Sequence, residues 1–286
     1  MTLRLRRSVL YLPASNARAI EKARTLACDV VVLDLEDAVA PEAKLMARQA
    51  AVAAIGAGGF RAAQVVVRVN GLGTEWGRPD LAAMAATHPS AIVVPKVNRG
   101  QDVADVRHHI GDVPVWAMIE SAKSLLRLED IASSAGLEAL VVGTNDLARE
   151  MGTQLRPGRA AFLGILTLTI AAARAFGLAV LDGVYNDLDD AAGFAAQCAQ
   201  AVELGFDGKT LIHPKQIDPC NAAFTPSAAD VSAAQQIVDA FALPDNQARG
   251  AIGLCGRMVE RLHLEQARKT LALARAKQDQ FAPLRT

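Results

Sequence analysis

Residues 30–37 read Val-Val-Val-Leu-Asp-Leu-Glu-Asp, an apolar run that ends among three acids. Consecutive apolar residues without polar alternation are typical of a strand buried on both faces, as in a parallel sheet covered by helices. Acids directly after such a strand are expected where the carboxyl ends of the strands form a site. This stretch therefore indicates a parallel sheet with polar chemistry at one edge.

Apolar runs of strand length recur along the chain, with segments of helical spacing between them. The predicted strands are Ser8–Leu12, Val30–Leu35, Val65–Val69, Ala91–Val94, Val113–Ile119, Ala139–Val142, Leu178–Leu181 and Lys209–Ile212. Helices are predicted over Asn16–Leu26, Glu42–Ile55, Lys123–Ser133, Arg159–Phe176 and Asp189–Leu204. Eight alternations of strand and helix predict a closed TIM (β/α)₈ barrel.

An open, doubly wound sheet is the alternative fold. Its dinucleotide site requires G-x-G-x-x-G between the first strand and the first helix, where this chain has Leu-Pro-Ala-Ser-Asn at residues 12–16. The glycine-rich stretch Gly71–Gly77 follows the third strand with the spacing G-x-G-x-x-x-G, and we interpret it as a loop. The barrel is therefore the preferred fold.

Composition excludes several classes of protein. The 286 residues include 51% hydrophobic residues, and 30 basic residues balance 30 acidic ones. A disordered chain would combine low hydrophobicity with a high net charge, and a nucleic-acid or polybasic membrane surface would show an excess of Lys and Arg. We expect a globular protein without nucleic-acid or membrane partners, for which a small anionic ligand remains open.

Cysteine usage and the first residues bear on the compartment. The four cysteines lie far apart, with no C-x-x-C pair and no histidines at zinc spacing, as expected of buried thiols in a reducing cytosol. Arginines at positions 4, 6 and 7 precede the apolar stretch Ser8–Leu12, which is shorter than the apolar core of about 7–15 residues in a signal peptide. We expect a cytoplasmic protein.

The last sixty residues break the strand–helix alternation. We predict a barrel domain over residues 1–225 and a C-terminal helical extension over residues 226–286. The extension should contain a helix over Ser227–Phe241, a flexible stretch over Gly250–Gly256 and a final helix over Met258–Gln278. It could serve as a lid, as an arm across a neighbouring subunit, or both.

Two carboxylates at consecutive strand ends suggest a metal site. Glu120 and Asp146 follow the fifth and sixth strands, and adjacent strands lie about 4.8 Å apart, so both can point at one ion. Oxygen ligands without Cys or His favour Mg²⁺ or Mn²⁺ over zinc. The alternative is that each carboxylate caps the following helix or pairs with a surface lysine.

Arg68 ends the third strand, and its planar guanidinium suits a substrate carboxylate. An ion pair with Asp34, Glu36 or Asp37 is the alternative. Three acids so close together need cations, and Lys44, Arg48 and Lys96 are the candidates.

Near the first strand, Tyr11 precedes Arg18 and Lys22, which lie four residues apart on one helix face. An aromatic ring beside two cations could hold the purine and phosphates of a nucleotide-like group. A solvated helix face explains the same pattern.

These segments resemble the HpcH/HpaI aldolase and citrate lyase family, and most of all its citrate lyase β-subunits and its malyl-CoA and citramalyl-CoA lyases. The matching segments are Arg7–Pro13, Val32–Val39 with Lys44 and Ala47–Arg48, Val67–Asn70, Val94–Lys96, Ile119–Glu120, Gly205–Lys209 and Ile212–Pro214. The resemblance implies a TIM barrel that assembles as a homotrimer or a hexamer, with Mg²⁺ held by Glu120 and Asp146.

The resemblance also implies roles for the other candidates. Arg68 would hold the α-keto acid, while Tyr11, Arg18 and Lys22 would contact the CoA. In the CoA-lyase branch, an Asp two residues after a Met in a G-x-M pattern reaches the site of a neighbouring subunit. This chain has Glu260 at that position, whose extra methylene moves the carboxyl by more than about 1 Å.

The expected function is Mg²⁺-dependent cleavage or formation of a carbon–carbon bond in a 3-hydroxy-3-carboxyacyl-CoA such as malyl-CoA or citramalyl-CoA. The products would be an α-keto acid, glyoxylate or pyruvate, and acetyl-CoA or another acyl-CoA. Glu260 of a neighbouring chain, or an acid of the strand-two cluster such as Asp37, would transfer the proton. The alternatives are an aldolase of free hydroxy-keto acids, a malyl-CoA thioesterase, and a subunit that needs an acyl-carrier protein.

Overall fold

The computed structural model describes residues 4–280 and the side chains of residues 4–277. The described chain forms two compact units, one of residues 6–224 and one of residues 225–280 with residues 4 and 5.

The larger unit contains a closed barrel of eight parallel strands in sequential order, which confirms the predicted TIM barrel. The strands are β1 (Ser8–Pro13), β2 (Val30–Asp34), β3 (Gln64–Arg68), β4 (Ala91–Val94), β5 (Val115–Ile119), β6 (Leu137–Val142), β7 (Ala179–Asp182) and β8 (Gly208–Leu211). All eight lie where the apolar runs predicted them, with ends that differ by at most two residues. Pairing of β8 with β1 closes the barrel.

Helices surround the strands. They are α1 (Ala17–Ala23), α2 (Lys44–Ala57), α3 (Gly77–Thr87), α4 (Gly100–Ile110), α5 (Ala122–Leu125), α6 (Leu128–Ala132), α7 (Thr144–Met151), α8 (Leu163–Ala175), α9 (Ala191–Leu204) and α10 (Ile217–Ala223). The helix predicted over Lys123–Ser133 is two short helices, α5 and α6. Within residues 4–280, no helix combines the length and hydrophobicity needed to cross a membrane.

Side chains of β2 show how the core is divided. Val30 and Val32 point into the barrel, where they join a cluster that includes Trp116 of β5. Val31 and Leu33 point outward into the apolar layer beneath the helices. Because both faces are buried, the strand can be apolar throughout, as its sequence indicated.

The sequence predicted a helical extension, but the smaller unit also contains two strands. It contains α11 (Ala228–Ala242), an antiparallel hairpin of β9 (Ala251–Leu254) and β10 (Arg257–Glu260), and α12 (Arg261–Gln280). The flexible stretch predicted over Gly250–Gly256 includes β9, and Gly256 has a φ of 75° in the turn of the hairpin. The final helix therefore begins at Arg261 and not at Met258.

Closure of the barrel depends on a glycine at the start of β8. A Cβ on Gly208 would lie 1.7 Å from the carbonyl oxygen of Arg6, on the segment that leads into β1. The main chains of β1 and β8 can approach this closely only because position 208 has no side chain.

We expect Gly208→Ala to destabilise the protein by more than about 2 kcal/mol, because the methyl group forces the closing strands apart. Denaturant unfolding measures the change. Gly164→Ala in α8 is the matched control: its Cβ would meet no atom within 4 Å, and it should be neutral or stabilising by up to about 1 kcal/mol. Equal behaviour of the two variants would contradict this account of closure.

Candidate active site

A cavity of about 450 Å³ lies at the carboxyl ends of the barrel strands. Among the residues described, its charged lining comprises four carboxylates and one guanidinium, namely Asp34, Asp37, Glu120, Asp146 and Arg68. An excess of negative charge in a partly enclosed space raises the free energy of the protein unless a cation or protons compensate it. The lining therefore favours a bound cation.

Glu120 is the most constrained of these carboxylates. It directly follows β5, is buried, and its Oε1 accepts a hydrogen bond from the backbone N–H of Lys96 at 2.6 Å. A Cβ on Gly143 would lie 2.6 Å from Oε2, so only glycine leaves room for this carboxylate. Burial, followed by the charge of Glu36 and with a further contribution from Asp146, raises the pKa of Glu120 to about 7.

Asp146 lies on the same wall, in the first turn of α7, and forms an ion pair with Arg149 one turn later. Both carboxylates line the same cavity, and the charge of Asp146 contributes to the raised pKa of Glu120. Within residues 4–280, no three His, Cys, Asp or Glu side chains form a metal-binding group. The metal site predicted from the sequence would therefore have two carboxylates of the protein, Glu120 and Asp146. Two hard oxygen donors suit Mg²⁺, which keeps several positions for water or substrate.

Arg68 is held by acids of the second strand. Its Nε and Nη2 donate to the two carboxylate oxygens of Asp34 at 2.7 and 2.6 Å, and its Nη1 lies 2.7 Å from Oε2 of Glu36. The ion pair that the sequence left open as an alternative is thus formed. A ligand carboxylate can reach Arg68 only through the remaining N–H groups of Nη1 and Nη2.

The other acids of this cluster differ in how far they are neutralised. Glu36 is buried and also pairs with Lys96 Nζ at 2.7 Å, whereas Asp37 is 57% exposed and lies 3.8 Å from Arg68 and 4.0 Å from Lys96. Asp37 is therefore the most exposed acid of the cluster and the one with the longest ion-pair distances. It also lines the cavity, as the predicted catalytic role requires.

Two of the cations assigned to these acids have other partners. Lys44 Nζ donates to the backbone carbonyls of Leu35 and Glu36, both at 2.7 Å. Arg48 pairs with Asp80 at 2.6 Å. Of the three predicted cations, Lys96 is the one whose ion pair with the cluster is formed.

Tyr11 and the two cations of α1 have different surroundings. Its side chain belongs to the inward-facing cluster and lines the cavity, and the guanidinium of Arg68 lies 5.3 Å from its ring centroid. Arg18 and Lys22 are on the exposed face of α1. Of the predicted group of one ring and two cations, the ring lines the cavity and the two cations are exposed.

Glu260 belongs to the smaller unit. It is the last residue of β10, is half-buried, and its backbone N–H donates to Nδ1 of His263 at 2.9 Å. The sequence had placed it in the first turn of a helix, but the helix begins one residue later.

The sequence singled out Asp146 from the run Gly143-Thr144-Asn145-Asp146 but not its neighbours. Gly143 gives space to Glu120, and Thr144 lines the cavity with a buried hydroxyl. The sequence pattern that could have identified them is a glycine followed by a hydroxyl residue directly after a strand.

Comparison with known proteins gives one family and several full-length relatives. Residues 7–214 match the model of the HpcH/HpaI aldolase/citrate lyase family. The chain is 46% identical over 270 residues to a (3S)-malyl-CoA thioesterase of Cereibacter sphaeroides, covering 94% of this chain and 95% of that protein. It is 33% identical over 283 residues to citrate lyase subunit beta of Escherichia coli, covering 95% and 94%.

Solved structures agree with these matches. Protein CitE of Mycobacterium tuberculosis, in complex with magnesium, acetoacetate and coenzyme A, superposes with a TM-score of 0.79 at 29% identity, covering 93% of this chain and 97% of that one. A citrate lyase beta subunit of the same organism, complexed with oxaloacetate and magnesium, gives a TM-score of 0.70 at 31% identity, covering 79% of this chain and 100% of that one.

The raised pKa of Glu120 predicts a stability change. The folded protein disfavours the ionised carboxylate of Glu120. The free energy of unfolding therefore falls as the pH rises from 4.5, the ordinary pKa of a glutamate, to about 7, and this loss stays constant at higher pH. Glu120→Gln should therefore raise the free energy of unfolding at pH 8, without Mg²⁺, by on the order of 3 kcal/mol at most.

Denaturant unfolding of both proteins at pH 4 and pH 8 checks this, since the difference between them should nearly vanish at pH 4. Added Mg²⁺ should stabilise the parent but not the variant, because only the parent keeps both carboxylates. A variant that is less stable than the parent at pH 8, or equally stabilised by Mg²⁺, would contradict the assignment.

Proposed function

The chain belongs to the HpcH/HpaI aldolase/citrate lyase family, and from that premise we propose that it is a Mg²⁺-dependent enzyme of 3-hydroxy-3-carboxyacyl-CoA thioesters such as malyl-CoA. The observation that carries the proposal is the cavity in which Glu120 and Asp146 share a wall and Arg68 lies among acids. The magnesium and coenzyme A in the complex of the mycobacterial CitE protein support this choice of ligands.

Two reactions of the thioester fit this site. Hydrolysis is favoured by relatives that are 44–46% identical and named (3S)-malyl-CoA thioesterase. Carbon–carbon cleavage is favoured by the citrate lyase β-subunits, which are 29–33% identical. We place hydrolysis first, because the identity to the thioesterases is higher over a similar share of the chain, and cleavage second.

The chain's own residues have the same binding roles in both reactions. Glu120 and Asp146 would hold the metal ion, which supplies Lewis acidity and orients the oxygens of the substrate. Arg68, fixed by Asp34, would attract the carboxylate with its remaining N–H groups. Arg18 and Lys22, exposed on α1, are the candidates for the CoA phosphates.

Proton transfer differs between the reactions. In hydrolysis, Asp37 would accept a proton from the water that attacks the thioester carbon, and the C–S bond breaks to release CoA and the free hydroxy diacid. In cleavage, Asp37 or Glu260 of a neighbouring chain would accept the proton of the substrate hydroxyl. The bond between the hydroxyl carbon and the thioester α-carbon would break to give the α-keto acid and an enolate, and the enolate carbon would take up a proton. Glu260 of a neighbouring chain in a homotrimer or hexamer, or Asp37, would supply that proton.

The products of malyl-CoA distinguish the reactions. We expect the purified chain with Mg²⁺ to release CoA and malate, whereas cleavage would give glyoxylate and acetyl-CoA. Chromatographic separation of the acyl-CoA species, with a thiol assay for free CoA, measures both. Turnover only after addition of an acyl-carrier protein would favour the subunit alternative, and absence of turnover in both conditions would reject the proposal.

A second prediction concerns Glu260. If it transfers the proton, Glu260→Gln should lower turnover by roughly 10² or more with little change in substrate affinity, and Glu260→Asp should remain active. Glu265→Gln is the matched control, because Glu265 is exposed on the neighbouring helix α12. Steady-state kinetics measures each variant. Full activity of Glu260→Gln, together with a loss in Asp37→Asn, would assign the proton to Asp37.

A further inference from the structure

Two residues that line the cavity, Tyr11 and Thr144, have buried hydroxyl groups that donate no hydrogen bond to the residues described. Tyr11 Oη and Thr144 Oγ1 have no hydrogen-bond partner among the residues that the structure describes. Buried polar atoms are nearly always paired in folded proteins, because an unpaired one loses its water without compensation. Both hydroxyls lie beside the same cavity, so the missing acceptors point to a ligand.

The surroundings of Tyr11 make it a donor to an anion. Its ring packs against the guanidinium of Arg68, and its hydroxyl lies within electrostatic range of Asp34, Glu36 and Glu120. Burial above all, and the charges of these acids, raise the pKa of Tyr11 well above its usual value, against the opposing effect of Arg68. The phenol therefore keeps its proton over the whole physiological range.

Thr144 is fixed by close packing. It is the first residue of α7 and follows Gly143, whose missing side chain gives space to Glu120. A Cβ on Gly183, at the end of β7, would lie 2.6 Å from Thr144 Oγ1. The absence of a side chain at position 183 thus gives the Thr144 hydroxyl the space that it occupies.

Arg68 has few N–H groups left to donate to a substrate carboxylate, and the two hydroxyls can supply further hydrogen bonds. Its Nε and Nη2 are bound to Asp34 and its Nη1 lies against Glu36, so it cannot hold a second carboxylate through the Nε edge. Four carboxylates also line the cavity and repel an anionic substrate. Additional uncharged donors would reduce this repulsion at the oxygens of the substrate.

We propose that Tyr11 and Thr144 are substrate-binding residues whose hydroxyls donate hydrogen bonds to oxygens of the hydroxy-acid or keto-acid part of the thioester. This inference rests on the proposed function, since it concerns the same site. It assigns Tyr11 to the acid and not to the CoA, and it adds Thr144.

The variants Tyr11→Phe and Thr144→Val each remove the donor with almost no change in shape. Each should bind glyoxylate or pyruvate, in the presence of Mg²⁺, roughly tenfold to a hundredfold more weakly than the parent, while CoA affinity is unchanged. Their stability should equal or exceed that of the parent, because an unpaired buried hydroxyl is removed. Thr144→Ser keeps the hydroxyl and should bind like the parent. Calorimetric titration and denaturant unfolding measure these quantities.

Hydroxyls with internal partners provide the controls. Tyr185 Oη donates to Asp190 at 2.5 Å, and Thr169 Oγ1 donates to the carbonyl of Ile165 at 2.9 Å. Tyr185→Phe and Thr169→Val should lose stability and keep the parent's affinity for the acids.

The opposite result has a clear meaning. If the parent turns over malyl-CoA and both Tyr11→Phe and Thr144→Val bind the keto acids as tightly as the parent does, the inference is wrong and the proposed function stands. If the parent neither binds the acids nor turns over malyl-CoA, the proposed function fails and the inference fails with it.

Discussion

Asp34 and Arg68 are the last residues of two neighbouring strands, and their nearly enclosed ion pair fixes the rest of the site. They are direct partners in the register of β2 and β3, so the backbone pairing itself brings the two charges together. Breaking such a pair would leave an uncompensated buried charge at a cost of about 3–5 kcal/mol. Arg68 is thereby held over the ring of Tyr11, and Glu36 is drawn towards the cavity.

Glu120, which lines the same cavity, has no such ion pair among the residues that the structure describes. Glu120 accepts a hydrogen bond from Lys96, but it is buried near Glu36 and Asp146 and its pKa is raised to about 7. Lys96 adopts a left-handed φ of 53°, a conformation that costs free energy in a residue with a side chain. The backbone of Lys96 and the carboxylate of Glu120 are thus both held in states that cost free energy. This arrangement is typical of sites in which a bound ligand compensates the charge.

The barrel could be predicted from the sequence because a strand buried on both faces leaves a simple apolar signature, as in β2. The acids of the site could be predicted because they follow such strands. Which charges pair could not be predicted, since that depends on tertiary structure. The register of β2 and β3 brings Arg68 to Asp34, and the packing of α2 against α3 brings Arg48 to Asp80. The hairpin of β9 and β10 was missed because the glycines of Gly250–Gly256 are as compatible with a turn as with a flexible segment.

The alternation of inward and outward side chains along β1 bears on the predicted group of Tyr11, Arg18 and Lys22. Val9 points into the barrel, so Tyr11, two residues later, must point the same way, while the helix that carries Arg18 and Lys22 lies outside. The inward side chain of β1 and the exposed side chains of α1 therefore have different surroundings. The periodicity of each element therefore limits which residues can meet around one ligand, and it assigns Tyr11 to the cavity in which Arg68 and Glu120 lie.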